Sequence, residues 1–297
     1  MYSVRLLRAA LLVTLPFLLI NKSTLLLAQD DDLLTAAADG AVVSKYIWRG
    51  QRLTDDLSLQ TSGTIGFGGF SVNVWGNMDL AAVNAGDALF IKEDPTAPAG
   101  RSHNGLQGKF SEVDYTFAYS QSLSAVSVDV GTIFYTFPER SASLASTAEI
   151  YVGVTLDALP FTPSITAYFD VDETAGNTSS SNGVYILLAG GHSLALPNPI
   201  FEAVEFSGSL SFVNGGFSEF YYSSSISGVH DINLGVALPI AISKVLSGSI
   251  FVNYSALTGS FRDKQFVDPR QTALGTAGPA KDSATTLWGG FGLSLAF

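Results

Sequence analysis

Nearly half of this 297-residue chain is apolar, 47% by composition. Yet no stretch after its N-terminus holds the roughly 20 consecutive apolar residues that a membrane-crossing helix needs. The hydrophobicity is spread by alternation instead. In residues 285–297, Leu287, Gly289, Phe291, Leu293, Leu295 and Phe297 fall on one face at period two, while Trp288, Gly290, Gly292, Ser294 and Ala296 fall on the other. Such a segment is a strand with an apolar face on one side and small residues on the other. By itself it fits the last strand of a membrane barrel or of a secreted β-sandwich, and the rest of the chain must decide between them.

Candidate strands recur at even spacing, at about 38–50, 56–67, 70–80, 109–121, 125–137, 147–157, 161–172, 183–195, 202–213, 228–241, 245–257 and 285–297. Most match the length that a tilted strand needs to cross a bilayer. Tight connections at Gly68-Gly69, Ser122 to Ser124, Ala158 to Pro160, Pro197 to Pro199 and Pro239 to Ser243 alternate with longer ones at 81–108, 138–146, 173–182, 214–227 and 258–284. Only the first, Gln51 to Asp55, is short for its side. A barrel with short turns at one rim and longer loops at the other produces this pattern, and a sandwich has no reason to. The strand faces agree. Phe70, Val72, Val74, Met78 and Leu80 oppose Ser71, Asn73, Trp75, Asn77 and Asp79, and Val113, Tyr115, Phe117 and Tyr119 oppose Glu112, Asp114, Thr116, Ala118 and Ser120. One face suits lipid and the other a wet or tightly filled lumen. Residues 183–195 are ambiguous, because both faces are apolar.

The expected fold is all-β: a transmembrane antiparallel up-and-down barrel of about 12 strands over residues 38–297, both termini periplasmic. A cleavable signal peptide at 1–28, with Arg5 and Arg8 before an apolar Ala9 to Ile20, and a periplasmic segment at 29–37 precede it. The formal net charge is −11, and removing residues 1–28 takes away Arg5, Arg8 and Lys22 but no acid. That balance argues against nucleic acid as a partner. The absence of cysteine excludes thiolate chemistry.

With the layout established, Ser44-Lys45-Tyr46-Ile47-Trp48-Arg49-Gly50 resembles the Ser-x-Tyr-x-aromatic-Arg-Gly motif of the TorF-like porins, a family of uncharacterised Gram-negative outer-membrane proteins. Glu112-Val113-Asp114-Tyr115 resembles that family's acid-x-acid-Tyr motif, and Val130-Gly131 with Tyr135, then Thr147 to Gly153, its following hairpin. The likeness covers residues 41–157. It implies an outer-membrane barrel and no defined substrate. A terminal Phe297 behind Leu295 and Leu293 similarly resembles the signal read by barrel-assembly machinery, which with outer-membrane lipid makes up the expected partners.

The lumen-facing acids are read as Asp79, Glu112, Asp114, Asp129, Glu149, Asp170, Asp172, Glu205 and Asp231, with Lys45 and Arg49 on the inward face of the first strand as counter-charges. They form either a charged constriction that selects small solutes or a set of ion pairs bracing neighbouring strands. Trp48, Tyr46, Trp75, Tyr115, Phe117, Tyr119, Phe134, Tyr135, Tyr254 and Phe297 are candidates for interfacial girdles. No enzyme is expected. Catalysis of the hydrolase type needs a paired histidine; His103 sits in a long loop with Arg101, Ser102 and Asn104, His192 lies in the ambiguous strand, and alternation directs His230 and Asp231 to opposite faces. Three scattered histidines also make no metal site, and no cofactor is expected. The function expected is a passive channel for small polar solutes through a narrow acidic lumen. The alternative is a non-conducting structural or adhesive barrel acting through its outer loops.

Overall fold

The structure, a computed structural model, describes residues 34–81, 107–138, 146–171, 182–201, 203–222, 224–262 and 284–297. The expected signal peptide, Asp172, His103 and most of the 81–108 and 258–284 connections lie outside these residues.

Twelve antiparallel strands close into a barrel. They are β1 (Thr35–Val43), β4 (Ser58–Phe67), β5 (Phe70–Asp79), β6 (Phe110–Leu123), β7 (Val126–Thr136), β8 (Ser146–Leu156), β9 (Ser164–Asp170), β10 (Val184–Ala195), β11 (Ala203–Val213), β12 (Gly228–Ala241), β13 (Leu246–Leu257) and β14 (Thr285–Ala296). Each pairs with its neighbour in sequence, and β1 closes on β14 from Ala37↔Ala296 to Val43↔Gly290. The amides of Ala36 and Phe297 exchange bonds with each other's carbonyls at 3.1 and 2.8 Å, extending the seam to the last residue. Closure leaves no unpaired edge, which is the condition for a sheet to sit in hydrocarbon.

Alternation places the side chains as the period requires. Ile65, Phe70, Val72, Phe117, Ile150 and Val152 stand exposed on the outer face, together with Leu293, Leu295 and Phe297. The inner face carries Gln60, Asn73, Asn77, Thr166, Asn253 and Ser255, all buried. The ambiguous segment resolves in the same way: in β10, Tyr185 turns inward and is buried, while Leu188, His192 and Leu194 turn out. Its inner face is apolar because it meets an aromatic filling, against which Leu187 packs.

The first strand is shorter than the sequence reading of 38–50. It leaves the wall after Val43, and residues 46–54 form a separate hairpin, β2 (Tyr46–Trp48) and β3 (Gln51–Thr54), whose strands pair only with each other. Arg49 and Gly50 make its two-residue turn, both at positive φ, +46° and +73°. That handedness matches the twist of a tight hairpin. The segment taken for a short first connection is therefore part of a connection spanning residues 44–57, and short and long now alternate without exception around the barrel. Gly68 and Gly69, at φ +58° and +82°, form a two-residue turn, as short as that of Ser124 and Ala125 between β6 and β7.

A helix, α1 (Gly215–Tyr222), fills the connection between β11 and β12. Asn214 caps it by accepting the Phe217 amide at 3.0 Å, and the same oxygen accepts the Val184 amide of β10 at 2.9 Å, tying the helix to the wall. A single 3-10 turn, Gly259–Phe261, follows β13 and buries Phe261.

Candidate functional site

The twelve barrel strands contain no lysine and no arginine. Their acids, Asp39, Asp79, Glu112, Asp114, Asp129, Glu149, Asp170, Glu205 and Asp231, all stand at inward positions of the alternation. The wall is thus anionic on the inside, and among the described residues Arg49 brings a cation to it on the inserted hairpin. Lys45 and Arg49 are not residues of the first strand, as the sequence suggested. They belong to the connection that turns into the lumen.

Arg49, at the hairpin tip, meets Glu149 of β8. Nη1 donates to Oε1 at 2.8 Å and Nη2 to Oε2 at 2.6 Å, with both side chains almost wholly buried. This is the two-bond fork that a guanidinium makes with a carboxylate. Tyr135 donates to Oε2 at 2.9 Å and fixes the acid from its other side. Four rings surround the guanidinium carbon: Tyr185 at 4.2 Å, Trp48 at 4.6 Å, Tyr168 at 5.1 Å and Phe217 at 5.7 Å. Register produces this cage, because Tyr151, Tyr168 and Tyr185 lie directly opposite one another on β8, β9 and β10. Tyr46, Trp75 and Tyr135 are buried in this filling rather than set in an interfacial girdle, and Trp48 packs on α1. Tyr115, Phe117, Phe134, Tyr254 and Phe297 do face outward.

The other expected site residues are dispersed. Glu112 accepts the Tyr46 hydroxyl at 2.8 Å, a second link from hairpin to wall. Asp79 accepts from Ser58 and Asn77 at 3.3 and 3.2 Å and bonds no cation among the described residues. Asp114, half-buried, stands opposite Trp75 and Tyr135, and Asp170 stands opposite Glu149. Lys45 pairs with Asp55 at the half-exposed base of the hairpin, where Arg52 reaches the same acid at 3.2 Å. Asp39, which sequence reasoning missed, accepts from Ser62 and Ser294 at 3.1 and 2.5 Å across the barrel seam.

His230 and Asp231 do not point to opposite faces. Between Leu210↔Ile232 and Phe212↔Val229 the register of β11 and β12 slips by one, so that Ser211 alone opposes both residues. A bulge of this kind re-aims a side chain. His230 is buried beside Asp231, Nδ1 to Oδ2 at 2.8 Å, and its Nε2 meets the Tyr222 hydroxyl at 2.7 Å. Asp231 also accepts from Asn233 at 2.7 Å, from Tyr185 at 3.1 Å and from Ser211. Ser211 donates to the carboxylate and not to the imidazole, so these groups form a bracing network rather than a nucleophile–base pair. The network anchors α1 and the 3-10 turn: Phe217 and Phe261 set their rings 5.2 and 4.8 Å from His230.

The half of the lumen nearer the short turns is lined differently. Ser120 donates to Asp129 at 2.9 Å, Ser127 to Asp157 at 2.7 Å, and Ser122 and Ser127 share a bond at 3.1 Å. Hydroxyls and acids predominate there, and the aromatic filling belongs to the opposite half.

No family model matches the chain, and no curated protein matches it. The TorF-like resemblance of residues 41–157 therefore has no family match behind it. Solved structures similar to the chain include the NanC porin, with a TM-score of 0.47 and 11% identity over 88% of this chain and 98% of that one. They also include the KdgM porin, with a TM-score of 0.43 and 10% identity over 88% and 99%. A third is the COG4313 outer membrane channel from Pseudomonas putida F1, with a TM-score of 0.36 and 9% identity over 91% and 98%. The barrel assignment rests on the closed strand order of this chain itself.

Proposed function

We propose that this chain is a bacterial outer-membrane channel of porin type, with both termini periplasmic, that passes small polar solutes through a narrow acidic lumen. The observation that carries this reading is the division of the wall: an apolar outer face, and an inner face whose only ionised groups are acids. Such a lumen concentrates cations and disfavours anions. Single-channel recording of the refolded protein in planar bilayers is the test. Discrete, cation-selective steps are expected, and bilayers that stay silent at high protein load would sink the proposal.

A second reading is favoured by the hairpin and α1, whose aromatic side chains fill one half of the lumen. On that reading the barrel does not conduct and works through its outer loops. Recording a variant lacking residues 46–54 separates the two. Silence in both forms, with the shortened barrel still folded, supports the non-conducting barrel.

Assembly belongs to the same proposal. Phe297, with Leu295 and Leu293 on the outward row, is the segment offered to the barrel-assembly machinery. Deleting Phe297 is expected to lower outer-membrane levels and raise periplasmic degradation. Unchanged yield and unchanged heat-modifiable gel mobility would count against it.

A further inference from the structure

The barrel wall holds a finished cation site whose cation comes from elsewhere. Glu149 presents both carboxylate oxygens to one planar group, and Tyr135 fixes its orientation. Tyr168 and Tyr185 from the wall and Phe217 from α1 supply rings within 5.7 Å. Strand register positions Glu149, Tyr135, Tyr168 and Tyr185, and the capped helix positions Phe217, which also packs on Trp48 of the hairpin. Arg49 arrives on β2 and β3, which form their own two-stranded sheet and join no ladder of the wall. It sits in a left-handed conformation that side-chain-bearing residues rarely adopt. Its guanidinium occupies the site as a ligand would.

We propose that this wall site binds small guanidinium-bearing solutes, with Arg49 as a resident stand-in that such solutes displace. A planar guanidinium is the class that satisfies both the two-oxygen fork and the stacked rings; an ammonium ion can donate to the carboxylate and sit over a ring but presents no flat face with two parallel donors. The approach is favoured by a wall that carries nine inward acids and no basic residue. The proposal rests on the lumen being a solute path only for how the solute arrives. Binding itself is read without any current.

The experiment uses the full barrel refolded in detergent micelles. Tryptophan fluorescence, with Trp48 at the site, is followed while methylguanidinium chloride is added, against sodium chloride at matched ionic strength. Arg49→Gly empties the site while leaving a turn that tolerates positive φ. In that variant a saturable change is expected, absent with sodium chloride and lost in the Arg49→Gly/Glu149→Gln double variant. In the wild-type protein the same change should need at least about tenfold more methylguanidinium, because the resident side chain must first leave. A folded Arg49→Gly barrel with no saturable change overturns the proposal. So does a change that survives Glu149→Gln, or equal affinity in wild type and variant. Should Arg49→Gly fail to fold, Arg49→Lys replaces it. Lysine keeps the charge but not the fork, so methylguanidinium must bind that variant more tightly than wild type, and equal affinity overturns the idea. Silent bilayers with saturable binding would sink the channel and keep the site. Conductance without binding would do the reverse.

Discussion

Arg49–Glu149 and His230–Asp231 are both buried hydrogen-bonded pairs built on an acid inside one barrel, and they reach the lumen by opposite routes. The first joins residues 100 positions apart, one on an inserted hairpin and one on the wall. The second joins sequence neighbours that a bulge turns to the same side. The first acid depends on a single partner segment for its cation. The second is surrounded by donors from β10, β11 and its own strand, Tyr185, Ser211 and Asn233, besides its histidine. The difference predicts unequal fragility: a carboxylate with one cationic partner fails when that partner is removed, and a carboxylate with several donors does not.

The largest effect should follow from Arg49→Ala. It leaves Glu149 buried with only the Tyr135 hydroxyl, and breaking a buried pair from one side costs about 3–5 kcal/mol. The measurement is the urea midpoint of the refolded barrel. If a pore passes the site, the reversal potential in a salt gradient should also move towards stronger cation selectivity. A midpoint at the wild-type value would mean that the guanidinium fork does not hold the hairpin.

The two pairs also differ in how legible they were. Period-two alternation and the rhythm of loop lengths disclose the twelve strands, because both follow from a closed wall with an apolar outer face and a polar inner one. Glu149 and Asp231 were readable as inward acids for the same reason. Alternation does not mark where a strand leaves its sheet. Residues 44–50 carry the strand-forming run Tyr46-Ile47-Trp48 directly after Val42-Val43, so they read as more of the first strand, with Arg49 on the wall. Nor does alternation survive a bulge. One extra residue in β12 reverses the parity of His230, and nothing in Val229-His230-Asp231-Ile232 announces it. Residue type alone likewise could not separate Tyr46, Trp75 and Tyr135, which fill the lumen, from Tyr115 and Phe117, which face outward. The Asn214-Gly215-Gly216 start of α1 was the one available helix signal in a connection read only as a long loop.

His230→Phe should sharpen the comparison with a smaller effect. Phenylalanine keeps a ring among Phe217, Phe261 and Tyr222, so the packing that anchors α1 survives. Asp231 loses one donor and retains three, and the bond between the Tyr222 hydroxyl and Nε2 is lost. The expected loss is about 1–2 kcal/mol, the cost of removing buried hydrogen bonds whose acid keeps other donors. A loss matching that of Arg49→Ala would break the contrast between a carboxylate with one cationic partner and one with several donors.

Lys45→Ala should have the smallest effect, and it decides where the hairpin is held. Lys45 and Asp55 stand at the hairpin base with side chains 25% and 39% exposed. Water and salt screen such a pair, and Arg52 already reaches the same acid at 3.2 Å. Its removal should therefore cost about 0–1 kcal/mol, shrinking further at high ionic strength. The tip of the hairpin, by contrast, ends in a buried cage of rings, where water does not screen the fork and neither Lys45 nor Arg52 reaches Glu149. Urea midpoints at low and high salt for both variants test the ranking. If Lys45→Ala destabilises the barrel as much as Arg49→Ala does, the hairpin is fastened at its base, and the buried fork serves to fill the lumen without holding the segment in place.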